Sequence, residues 1–275
     1  MTLEDGKVIS ADLVLAADGA FSRVRESLLL TSRIDYLDEG YIRLPVPRRE
    51  DDPPAEITEY WNESRRLLYD PCTEDMNYVC LCCSVDDEAG RRTPIDKSDW
   101  LRWFPPLSDL IERFPDEGRW DRAMRVTCRS WSSGRAAVVG DAAHAQPPNL
   151  GQGANLSFQN ALSLAVYLDQ SEDVPTARAT WEREQRPLSD HVQRWTHMYG
   201  RVASAWPQRW VRHRSSVLER VTNVRWVDNQ LNKAARHVPS VPFEGSAPTS
   251  TPDGVELATR ASRYQSLGRR LPTPD

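Results

Sequence analysis

The sequence has no surplus of basic charge: 35 Lys and Arg stand against 40 Asp and Glu, a formal net charge of −5 over 275 residues. Nothing is available to displace counterions from a phosphate backbone, so nucleic acid is not an expected partner. No uninterrupted apolar run reaches membrane-spanning length, which leaves no expected transmembrane helix. The opening MTLEDGKVIS lacks the apolar stretch of a secretory signal, and a cytoplasmic location is expected. Cysteine is sparse. The five residues Cys72, Cys80, Cys82, Cys83 and Cys128 make an odd count, which disfavours a disulfide framework and a zinc site. Buried thiols in a reducing compartment, and no metal, are the expectation.

What is present fits a globular chain. Hydrophobic residues make up 39% and charged residues 27%, enough apolar content for one large domain or two small ones with a core. Val8-Ile9 and Leu13 to Ala17 predict short strands, the second of the continuous apolar kind buried in parallel sheets. Asp18-Gly19 breaks that run, and Phe21 to Leu30 has helical spacing. From about Arg33 the pattern changes to strands of a mostly antiparallel sheet, expected at 41–46, 56–61, 66–69 and 78–85. Helices are expected over 98–104 and 107–114. A buried run at 135–139 returns to the first kind of sheet and ends in Gly140-Asp141. A loop follows, then a long helix from Gly153 to about Leu168. A second helical stretch covers 175–206, where Trp195, Met198, Tyr199, Val202 and Trp206 share one face and are read as core. Residues 239–275, rich in Pro, Ser and Thr without a period, read as a flexible tail.

Two segments carry chemistry. In the first, Asp12 to Arg25, a buried strand delivers Asp18 and Gly19 to the carboxyl edge of a sheet, where ligands of open α/β sheets bind. Gly19 permits close backbone approach, and Ser22 can cap the next helix. Arg25 could anchor a phosphate or neutralise Asp18. In the second, Gly140 to Asn155, a strand again ends in a carboxylate, Asp141, able to accept hydrogen bonds from sugar or ribityl hydroxyls. Pro147 and Pro148 fix the loop. Gly151-Gln152-Gly153 then opens a helix whose first amides and dipole favour negative charge, such as that of a reduced flavin.

Together these stretches resemble the "DG" motif (Asp12 to Arg25) and the "GD" motif (Gly140 to Asn155) of FAD-dependent aromatic-ring monooxygenases of the para-hydroxybenzoate and salicylate hydroxylase type. Trp181 to Arg186 is similar to the arginine-bearing helix that follows in many members. The resemblance covers roughly residues 3–190. It implies an α/β fold of mixed α+β character: a partial Rossmann-like FAD-binding domain (1–32 and 131–170), an inserted, mostly antiparallel substrate-binding sheet (33–130) and C-terminal helices (171–238). It implies FAD bound through Asp18, Gly19, Arg25, Gly140, Asp141, Pro148, Gly151, Gly153, Ala154 and Asn155. In the family the residue matching Asp141 holds the ribityl chain, and backbone near Ala154 and Asn155 meets the isoalloxazine ring. NADH or NADPH would reduce the flavin transiently. Molecular oxygen would then react to a C4a-hydroperoxide that hydroxylates an electron-rich aromatic ring.

The sequence departs from the family in one large respect. Members begin with a strand, a Gly-x-Gly-x-x-Gly turn and a helix that hold the ADP pyrophosphate, and none of these occurs in the 275 residues. The chain is therefore read as N-terminally truncated, or as a short form that has lost flavin binding and serves as a binding domain. A related flavin epoxidase or reductase is a further alternative. Smaller departures are Gln159-Asn160, where members often carry Glu-Asp, and Ala145. No catalytic residue is identified. His144 is a weak candidate for a base, with loop packing as the reading preferred. Trp61, Tyr69 and Tyr78 sit on strands that could line a substrate pocket, with packing again preferred.

Overall fold

The computed structural model describes residues 2, 4–52, 57–204, 220, 224–231, 233–234 and 237. The expected tail at 239–275 and the expected helix end at Trp206 lie outside them. Five β-strands of the larger sheet run in the order β3-β4-β5-β2-β6: β2 is Thr31–Pro47, β3 Thr58–Asn62, β4 Arg65–Pro71, β5 Met76–Ser84 and β6 Trp120–Cys128. A second sheet has three short strands in the order β1-β8-β7, with β1 at Val14–Ala16, β7 at Ser132–Ser133 and β8 at Ala136–Val138. The chain forms two compact units. Of the described residues, 2, 4–35, 124–199, 229–231, 233–234 and 237 make the first, and 36–52, 57–123, 200–204, 220 and 224–228 the second.

In the second unit the pairings β2–β5, β3–β4 and β4–β5 are all antiparallel. Period-2 alternation sends Ile42, Leu44, Val46, Leu67, Tyr69, Val79 and Leu81 to one face, where they pack under α2 (Lys97–Trp103) and α3 (Ser108–Glu112) with Trp100, Phe104, Ile111 and Phe114. Both helices fall where their spacing predicts them. Arg65 fastens this cover. Its guanidinium meets Asp87 twice, at 2.6 and 2.8 Å, and lies 4.9 and 4.8 Å from the rings of Trp100 and Trp103.

The opposite face holds an ion cluster. Arg66 is buried and donates to Glu39 Oε2 at 2.8 Å and Glu59 Oε1 at 3.0 Å, while the Tyr41 hydroxyl donates to Glu39 Oε1 at 2.8 Å. Cys80 and Cys82 line the same face. Cys80 and Cys83 have the spacing of a Cys-x-x-Cys pair, yet three residues along a strand put them on opposite faces, and all five cysteines are free thiols. Among the described residues no group of His, Cys, Asp and Glu could hold a metal.

In the first unit a core of Ala16, Val126, Trp131, Ala137, Val138, Leu164, Tyr167 and Trp181 lies between the short sheet and two long helices, α5 (Gly153–Gln170) and α6 (Val174–Ser204). Among the described residues no helix is long and apolar enough to cross a membrane.

Several sequence expectations need correcting. Val8-Ile9 is not a strand: Val8 makes one isolated bridge to Thr2 and is 72% exposed. The first helix, α1, is only Arg23–Ser27, because Leu29 turns to φ 54° and β2 begins two residues later. The stripe of Trp195 and Met198 is not the core face of α6, since Met198 is 47% exposed. The buried face runs instead through Trp181, Gln185, Ser189, Val192 and Thr196, one residue of rotation away. Polar side chains hide that face from a search for apolar periodicity.

Candidate functional site

The site is built on two parallel neighbours. Strands β1 and β8 pair in register, Val14 with Ala136, Leu15 with Ala137 and Ala16 with Val138, and Val139 N–H donates to Ala16 O at 3.0 Å. Parallel partners end at the same edge, so Asp18-Gly19 and Gly140-Asp141 leave the sheet side by side. That is the convergence on which the sequence reading rests.

Gly19 takes φ 81°, and a Cβ built there meets no protein atom within 4 Å. Backbone conformation, not crowding by the protein, calls for glycine at this turn. Ser22 caps α1 through Arg25 N–H at 3.0 Å. Slight burial works against ionisation of Asp18, but the Ser22 hydroxyl and the Val24 and Arg23 amides hold its carboxyl below the usual range. Asp18 is therefore a fixed anion at the strand end.

Arg25 is fully buried and spends its guanidinium on the protein. Nη2 donates to Ala20 O at 2.8 Å, Nη1 to Ala142 O at 2.8 Å and Nε to Thr31 Oγ1 at 3.1 Å. It ties the turn after β1 to the turn after β8. Its guanidinium is partnered by these three protein oxygens.

Gly140 sits at φ 60°, ψ −140°, a region essentially reserved for glycine, and caps the short helix α4 (Asp141–His144) by accepting from Ala143 and His144 N–H at 2.9 and 3.0 Å. The Asp141 side of the turn is exposed. Pro147 and Pro148 then set a 3-10 turn over Pro148–Leu150, and Gly151 closes it in the left-handed region at φ 63°. Helix α5 starts with no side chain capping it, and Ala154 and Asn155 are exposed. An exposed, uncapped start on an 18-residue helix presents amide donors and the positive dipole end. Two carboxylates and this amide end suit a molecule bearing hydroxyls next to an acceptor that becomes negative, as a flavin does. The residues present fit its ribityl and ring portion.

The model of the FAD binding domain family matches residues 2–196. The chain belongs to this FAD-binding family. The probable 2-heptyl-3-hydroxy-4(1H)-quinolone synthase AqdB2 of Rhodococcus erythropolis is 41% identical over 199 residues, 70% of this chain and 51% of that protein. The 6-hydroxynicotinate 3-monooxygenase of Bordetella bronchiseptica is 28% identical over 208 residues, 70% of this chain and 54% of that protein. The tetrameric form of 2-methyl-3-hydroxypyridine-5-carboxylic acid oxygenase superposes with a TM-score of 0.73 at 31% identity, covering 86% of this chain and 62% of that one. Klebsiella pneumoniae HpxO complexed with FAD and uric acid shares the fold, with a TM-score of 0.75 at 20% identity. The chain spans about half the length of the curated relatives it matches.

His144 lies beneath this site, 3% exposed. Its Nε2 is 2.7 Å from the Asn160 amide nitrogen, which also donates to Ser189 Oγ at 3.2 Å, and its ring tilts against Trp131 at 5.5 Å. With Asn160 donating, Nε2 accepts and the proton sits on Nδ1. Burial drives the imidazole pKa down to about 4. A neutral, enclosed ring is a packing element, as preferred from the sequence, and the neutral amide of Asn160 suits it.

A pH consequence follows for the stability of the chain. The unfolded imidazole titrates near 6.5 and the folded one near 4, so the unfolded state binds the extra proton between these values. Stability from this residue is complete above pH 6.5 and is lost as pH falls toward 4, in total by about 3 kcal/mol. Urea unfolding at steps of pH is expected to show a shallower acid loss in His144→Gln than in the parent. Equal slopes would refute the assignment.

Sequence reasoning missed the clamps beneath the site. Gln193 donates to Val126 O at 2.8 Å and Ala145 O at 3.0 Å, and Glu182 accepts from Trp131 N–H and the Ser130 hydroxyl, each at 2.9 Å. The sequence marked α6 by its aromatic stripe and by the resemblance of Trp181 to Arg186 to an arginine-bearing helix, and neither points to Gln193 or to the partners of Glu182. Of the strand aromatics, Tyr69 faces the helices and is core, whereas Trp61 and Tyr78 lie on the Arg66 face.

Proposed function

We propose that this chain is the ribityl- and ring-binding part of an FAD-dependent monooxygenase that hydroxylates a nitrogen heteroaromatic ring, with NADH or NADPH as reductant. The observation that carries the reading is the pair of carboxylate-tipped parallel strands beside an uncapped helix start. In this reading Asp141 accepts hydrogen bonds from ribityl hydroxyls, and Asp18 with the Gly19 turn lies toward the pyrophosphate. The amides of Gly153, Ala154 and Asn155 favour negative charge on the ring, while Gly140 and Gly151 set the backbone that presents them. Pro148 stiffens the loop on the substrate side. When bound and reduced, FAD supplies the activated oxygen; the chain supplies position and charge. Relatives named as acting on a quinolone and on 6-hydroxynicotinate support the heteroaromatic class.

A second reading is a non-catalytic binding domain built on the same fold. Titrating the chain with FAD and following flavin fluorescence separates the two. Binding is expected, and Asp141→Ala is expected to weaken it about tenfold or more, the worth of one charge-assisted hydrogen bond. NADH or NADPH oxidation that a 4-quinolone or hydroxypyridine carboxylate accelerates, with one oxygen atom added to the ring, completes the test. A colourless, folded chain with no FAD affinity would overturn the enzyme reading and support the binding domain.

A further inference from the structure

A second charged feature lies on the other flank of helix α6. An open cleft of about 590 Å³ runs between that helix and the Arg129–Ser130 turn. Four guanidinium groups line it, from Arg129, Arg183, Arg186 and Arg194, against the two carboxylates of Glu182 and Asp190. The local balance is positive in a chain whose formal net charge is −5.

The six side chains are not equivalent. Glu182 is committed inward to Trp131 N–H and the Ser130 hydroxyl. Arg186 is committed too: it donates to Arg129 O at 2.9 Å, to Cys128 O, and to Glu182 Oε1 at 2.9 Å. These two residues build the floor. The rest look outward. Arg129 gives only Nη2 to the protein, at 3.2 Å from Thr31 O. Arg183 is 68% exposed and meets only the neighbouring Glu184, at 3.1 Å. Arg194 is exposed and makes no hydrogen bond or ion pair among the described residues. Against these three stands Asp190 alone, 3.9 Å from Arg186. Along this stripe Asp190 lies four residues from both Arg186 and Arg194, one carboxylate among the guanidinium groups of positions 183, 186 and 194, so it offsets only part of their positive charge. Guanidinium forks with unused N–H groups around a concave floor match the oxygens of a multivalent anion.

We propose that this cleft binds a small multivalent oxyanion of the phosphate class. None of its residues belongs to the flavin site proposed above, and the inference stands whether or not FAD binds. The chemistry admits two sources, free phosphate or the phosphate monoester of a nucleotide.

The test is calorimetric titration of the 275-residue chain with inorganic phosphate, repeated on Arg194→Gln and on the double variant Arg183→Gln/Arg194→Gln. Both residues are exposed, and unchanged far-UV circular dichroism and FAD titration will show that the variants are folded and keep their other site. Saturable binding is expected in the parent, weaker by about tenfold in Arg194→Gln and beyond detection in the double variant, the loss of one and then two charge-assisted contacts. It is expected to weaken further as sodium chloride is raised. Displacement of phosphate by NADP+ but not NAD+ would make the nucleotide monoester the source; displacement by neither would make it free phosphate. Absence of saturable binding, or binding equal in parent and double variant, would overturn the proposal.

Discussion

Replacing Arg66 by methionine is expected to lower the unfolding free energy by about 3–5 kcal/mol, the cost of taking the cation from a buried ion pair. Arg66 and Glu39 are 2% and 7% exposed, and Glu59, on the other guanidinium nitrogen, is 9% exposed. Methionine fills much of the same space, so most of the loss comes from two neighbouring carboxylates that no longer share a cation, not from a cavity. The companion variant separates these causes. In Arg66→Met/Glu39→Gln one of the two charges is gone, and a substantial part of the lost stability is expected to return. If the double variant were as unstable as the single one, packing would be the cause and the electrostatic account would fail. Guanidinium chloride unfolding followed by near-UV circular dichroism reads both.

The second large effect concerns the turn-to-turn tie in the first unit. Arg25→Ala is expected to cost about 3–4 kcal/mol, because a buried and a half-buried carbonyl lose their donor and a cavity is left where a long side chain lay. The acceptors are Ala20 O and Ala142 O, one in each carboxylate-bearing turn. Stability and ligand affinity should therefore fall together, with FAD titration weakened because both turns lose their tie. Arg25→Lys keeps a donor but not the fork, and an intermediate loss is expected. An alanine variant with parental stability would show that the tie is dispensable.

The parts of this chain that were legible in its sequence are those where one rule acts alone. Continuous apolar runs ending in Asp18-Gly19 and Gly140-Asp141 gave β1, β8 and their shared edge, and the glycine-flanked apolar period gave α5 to within two residues. The rest was hidden where polar groups replace apolar ones. The first half of β2, Thr31 to Asp38, carries Arg33, Asp35 and Asp38, and β6 carries Asp121, Arg122 and Arg125. Neither shows apolar alternation, because the strands are held in part by charge: Arg125 meets Asp35 at 2.6 Å and Arg122 donates to Leu37 O at 2.7 Å. The same cause concealed the inward face of α6. Arg25 was visible as a residue but its role was not, since its partners are carbonyls far along the chain, which no spacing rule can name. Asp18, Asp141 and the α5 start stood out in the sequence because glycine and aspartate at a strand end have few other uses.

The order of synthesis also matters for this architecture. Strand β1 pairs with β8, and all of residues 36–123 lie between them. The intervening unit pairs its own neighbours β3, β4 and β5 through short hairpins, so it can close while the ribosome is still extending the chain. Among the described residues the parallel partner of β1 is β8, so this pairing waits until Ala136 has emerged. The loop that β1 and β8 finally close is then short in effect, bridged by an already compact insert, and its entropy cost is that of the insert's end-to-end gap and not of the whole intervening chain.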